Sequence, residues 1–186
     1  YYSSGVTDWL GGDGVYASYA SAYAFGAFLA RNYGGATLVK SILDCPYANR
    51  EAVSYAVDGT TNSSGFNSVF RRYAEALVFS GQAVADNAAL MTFDRSVSKT
   101  ITVDASSVDY TFDAFDIWNM PNEFAASWGG SADSFGPLVW VLGDYSLRPY
   151  GLDLQSDERW QGVNGTLEIE FDLPLMDEVE MYVMVR

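Results

Sequence analysis

The alternation of apolar and polar positions changes character about halfway along the chain. Over residues 16–33 (YASYASAYAFGAFLARNY), Tyr19, Tyr23, Phe25, Phe28 and Leu29 recur at mixed three- and four-residue spacing, which predicts an amphipathic helix. Arg31 suits its last turn, and Gly34-Gly35 stops it. Tyr23 is expected to face the core. Thr37 is a candidate N-cap for a second, short helix over 38–43, which ends ahead of Pro46. Asn49 can cap a third over 50–57, closed by Asp58-Gly59. Residues 60–65 are polar and read as a loop. A fourth helix is predicted over 66–79, with Phe66, Val69, Phe70, Tyr73 and Leu77 on one face and Arg71, Arg72 and Glu75 mostly elsewhere.

From residues 86–96 onward the period shifts towards two. Residues 98–104 (SKTITVD) alternate as a half-buried strand does. Residues 137–142 (PLVWVL), an apolar run between Gly136 and Gly143, fit a fully buried strand. Residues 145–154 hold Pro149 and Gly151 and read as a turn-rich connection, while 166–171 and 180–186 alternate again. The expected fold class is α+β: a helical subdomain over residues 1–90 followed by an antiparallel, β-rich, sandwich-like domain over 91–186. No internal repeat or low-complexity segment is visible.

Composition narrows the partners. The 186 residues are 49% apolar and 16% aromatic, with 13 Tyr, 11 Phe and 5 Trp, enough for a well-filled core. The net charge of −14 disfavours nucleic acid, whose phosphates need Lys and Arg, and disfavours an anionic membrane surface for the same reason. Solubility explains the acidity. Calcium would be the sharper explanation, but no loop carries the alternating Asp/Asn ligand spacing of an EF-hand. The longest apolar stretch, near residues 22–30, is interrupted by Gly26 and is far short of the ~20 residues a membrane span needs. Cys45 is the only cysteine and there is no histidine, so a Cys–His nucleophile cannot form and a buried or half-buried structural thiol is expected. The sequence begins Tyr-Tyr-Ser-Ser-Gly, which reads as a piece of a longer polypeptide.

Tyr19, Ala22, Phe25, Phe28 and Leu29 fill a Y-x-x-[small]-x-x-F-x-x-[aromatic]-L pattern that resembles a helix of the gluzincin zinc peptidases. The longer context is closer to the hyicolysin-like gluzincins. Trp9 stands in an aromatic loop that leads into the helix. The helix continues through Tyr23, Tyr33 and Gly34. Leu38, Ile42 and Leu43 follow, then Ala52, Ala56 and Gly59, then Phe66, Phe70, Tyr73 and Ala74. The resemblance covers roughly residues 8–80. It implies the end of a peptidase's helical domain followed by an accessory β domain. The family's H-E-x-x-H helix and its downstream glutamate ligand lie N-terminal to this region, and a chain without histidine holds no such site. Zinc is therefore implied for the parent alone, and this chain by itself is not expected to bind zinc tightly.

The resemblance also supplies the candidate chemistry. Tyr19 matches the tyrosine that donates to a developing oxyanion, with Tyr16 as the fallback one turn earlier; the alternative is that Tyr19 simply packs. Trp9, Trp118 and Trp128 are candidate substrate-binding residues. Trp9 is flanked by Asp8 and Asp13, and the other two lie in an aromatic tract (WNMPNEFAASW) that reads as a recognition loop or a loop plugged into the core. Asp113 and Asp116 could pair as carboxylates, though nothing distinguishes them from surface acids. Asn62 and Asn164 head N-x-[ST] sequons, which carry no meaning in a bacterial protein. A phosphate-binding Gly loop, a Ser/His/Asp triad and a Cys/His cluster are all missing. Two functions follow as expectations. One is the C-terminal part of a secreted or cell-envelope zinc metallopeptidase, inactive alone, whose partners are the upstream part of the same polypeptide and a peptide or protein substrate. The other is a non-catalytic extracellular binding or adhesion module that uses aromatic loops.

Overall fold

Among the described residues, four helices are followed by one β-hairpin, a mixed α+β arrangement: α1 (Val15–Tyr33), α2 (Ala36–Asp44), α3 (Asn49–Asp58), α4 (Ser63–Val78), β1 (Val97–Val103) and β2 (Ser106–Phe112). The structure, a computed structural model, describes residues 5–12, 15–80, 93 and 96–114. The strands expected at 137–142, 166–171 and 180–186, and the subdomain boundary expected near residue 90, lie outside the described residues. No strand interrupts the helices between residues 15 and 78.

The core is an aromatic cluster between α1 and α4. Phe25 sits 5.7 Å from Phe66, 6.0 Å from Phe70 and 5.2 Å from Tyr73 between ring centroids, all near edge-to-face. Phe28 adds contacts with Tyr73, Tyr33 and Phe93. Leu29, Leu38, Val69, Ala76 and Leu77 fill the spaces between the rings. Such rings gain both from the area they remove from water and from the attraction of positive edges for negative faces.

Three helix starts differ from the sequence reading. Thr37 is not the cap of α2. That position belongs to Gly35, which has φ 64° and ψ −136° and makes no side-chain cap bond. The two glycines close one helix and open the next: the Gly35 N–H reaches back to the Ala30 carbonyl at 2.7 Å, and the Gly35 carbonyl accepts from Val39 N–H. Only glycine adopts this backbone without strain. Asn49 is the first residue of α3 rather than its cap, in left-handed backbone with φ 56°, and Ala48 holds the cap position. α4 begins at Ser63, three residues ahead of the apolar face that marked it, so the loop shortens to residues 60–62. The stop at Gly59 is as expected, in left-handed backbone with its N–H on the Tyr55 carbonyl.

β2 was not legible in the sequence. It pairs with β1 in antiparallel register, Val97 opposite Phe112 and Val103 opposite Ser106. The turn has two central residues, Asp104 (φ 49°) and Ala105 (φ 67°). Two positive φ values are the signature of a type I′ hairpin, normally announced by Asn-Gly, and Asp-Ala hides it. The two faces of the hairpin differ in chemistry. One carries a polar ladder, Ser98–Thr111, Thr100–Asp109 and Thr102–Ser107, at 3.0, 2.7 and 2.8 Å. The other, with Ile101, Tyr110 and Phe112, turns to α1 and α2.

Candidate functional site

Three tyrosines define a strip on α1. At 100° per residue, positions 16, 19 and 23 fall within an arc of about 60°, roughly opposite Phe25 and Phe28, and span about 10 Å of helix. The core side of α1 is satisfied by the aromatic cluster, so these phenols point outward. Tyr16 is 73% exposed, Tyr19 57% and Tyr23 76%, while Phe25, Phe28 and Leu29 are buried. The expectation that Tyr23 faces the core is thus overturned. Its spacing from Tyr19 fits either face of a helix whose apolar residues run all the way round, and Phe25 and Phe28 had already claimed the inner one.

Trp9 extends the strip. It is 59% exposed and stands edge-on against Tyr19, with ring centroids 5.0 Å apart and planes at 86°. The segment is tied down next door: Leu10 N–H donates to the buried Ser18 hydroxyl at 2.8 Å. Tyr19 and Trp9 are therefore brought together, and Tyr16 lies one turn away on the same face. Trp118, Trp128, Asp13 and Asp116 lie outside the described residues. Asp8 is half-buried and Asp113 exposed. The Asp113 backbone carbonyl accepts from Arg31 Nη1 at 3.3 Å.

Followed towards its C-terminus, the same face of α1 changes character. Ala30 and Arg31 are buried. Ala30 lines a shallow groove of about 420 Å³ between α2 and the hairpin, together with Val39, Leu43, Ile101, Tyr110 and Phe112, with Lys40 and Asp44 at its edge. The Arg31 guanidinium lies 5.1 Å over the Phe93 ring. One end of the outer face is thus roofed by the hairpin, and the other end is the open tyrosine strip.

The remaining candidates resolve simply. Cys45 is half-buried, and its thiol donates to the Ile42 carbonyl at 3.2 Å, the ordinary behaviour of a structural cysteine. Among the described residues no group of three or more His, Cys, Asp or Glu could hold a metal ion. The described donor set does not fit a zinc site, and no zinc chemistry is assigned to it. No helix among the described residues is long and apolar enough to cross a membrane. No protein-family model, curated protein or solved structure matches this chain.

Proposed function

We propose that this chain is a non-catalytic recognition module whose binding face is the Tyr16–Tyr19–Tyr23 strip of α1 together with Trp9 packed against it. The observation that carries the reading is the exposure of three tyrosine rings on one side of α1, with the exposed Trp9 of the preceding segment packed against Tyr19. Exposed apolar residues scattered singly need no explanation, but a contiguous group of rings does. Tyr and Trp are also the side chains that bind with least loss of conformational freedom, because they offer large rigid surfaces with a polar tip. The reading goes with an extracellular or cell-envelope location. It is tested by presenting the labelled chain to glycan and protein arrays, alongside a Tyr16→Ala/Tyr23→Ala variant with unchanged thermal stability. Specific binding that the variant loses is the expected result; identical signals from both proteins would remove the strip from function.

A second reading is favoured by one observation. Tyr19 stands on the outer face with Phe25, Phe28 and Leu29 buried behind it, the disposition that a tyrosine wall residue of a gluzincin-type peptidase needs. On that reading the chain is part of a zinc metallopeptidase and carries a β-rich, sandwich-like accessory portion. Its parent gene encodes an H-E-x-x-H helix upstream of this region, and sequencing that gene decides it. In the intact enzyme Tyr19→Phe would lower kcat by about 10²–10³-fold, the scale of one lost oxyanion donor, with KM little changed. An unchanged kcat would return Tyr19 to a structural role.

A further inference from the structure

We draw no further inference here: the strongest candidate, the shallow apolar groove that Val39, Leu43, Ile101 and Phe112 line between α2 and the hairpin, carries nothing because nothing in the structure shows what covers it.

Discussion

Three buried residues show how closely the elements are fitted. Gly35 has φ 64°, and a Cβ built there would come within 2.7 Å of the Tyr110 hydroxyl and 3.3 Å of Lys99 Cγ. Gly35→Ala adds a left-handed alanine to a clash with the hairpin, so we expect a loss of about 2 kcal/mol or more, read as a lowered midpoint in urea. Ser54 is the opposite case. It is fully buried where α3 meets α4, and its Oγ has no hydrogen-bond partner among the described residues. A buried hydroxyl without a partner carries its desolvation cost uncompensated, so Ser54→Ala should be neutral or should stabilise by up to about 1 kcal/mol. Had the hydroxyl an essential partner, the same variant would melt earlier. Phe28 sets the scale for the core: it is fully buried, and Phe28→Ala should cost about 3–5 kcal/mol, whereas the exposed Tyr16→Ala should stay within about 0.5 kcal/mol.

Among the elements, α1 is one whose two faces are both occupied. Its inner face meets the aromatic core, and the C-terminal half of its outer face meets the hairpin, so apolar residues surround it. A helix patterned that way has little amphipathic contrast, which is why its outer tyrosines could be mistaken for core. The hairpin depends on a turn that its sequence does not favour. Asp tolerates the left-handed region, but Ala105 at φ 67° carries a cost of roughly 1–2 kcal/mol that glycine would not. Glycine in turn loses about 0.5–1 kcal/mol more through the unfolded chain. Ala105→Gly should therefore stabilise by about 0.5–1 kcal/mol, measured by chemical denaturation. A destabilised variant would mean that the turn is not type I′. The exposed i,i+4 ion pairs, Lys40–Asp44 and Arg71–Glu75, add little by comparison, because water and salt screen them.

For the molecule as a whole, the question is what joins the hairpin to the helices. The first turn of α2 has no side-chain cap, and its Ala36 N–H donates instead to the Tyr110 hydroxyl at 2.9 Å, across 74 residues of sequence. Arg31 makes the second tie, through the Asp113 carbonyl and the face of Phe93. Tyr110→Phe removes the first, leaves a helix-start N–H without its acceptor, and should cost about 1–3 kcal/mol. Hydrogen exchange locates the loss: amides of β1, β2 and the first turn of α2 should exchange faster, while the centres of α1 and α4 keep their protection. Uniformly faster exchange throughout would show the hairpin and helices to be one cooperative unit rather than two joined at this contact.

The sequence by itself determined the four helices, their order and most of their ends, and the first strand. Those features rest on local physics: apolar spacing near 3.6 or 2, glycine's access to left-handed backbone at residue 59, and proline's exclusion from helix interiors. It also made Phe25, Phe28, Leu29, Phe66, Val69, Tyr73 and Leu77 legible as apolar residues at helical spacing. Tertiary structure decided which side of α1 each ring takes, because periodicity gives relative angles but not the direction of the core, and Tyr23 is the residue on which that difference shows. The same holds for the acceptor of the Ala36 N–H at the start of α2, a tyrosine hydroxyl 74 residues away, and for β2, whose Asp-Ala turn is stable only with a partner strand and a helical surface beneath it. The pairing of Trp9 with Tyr19, ten residues apart and at right angles, belongs to this class too. Contacts between separated segments depend on where the backbone has already been placed, and no local pattern in the chain encodes that.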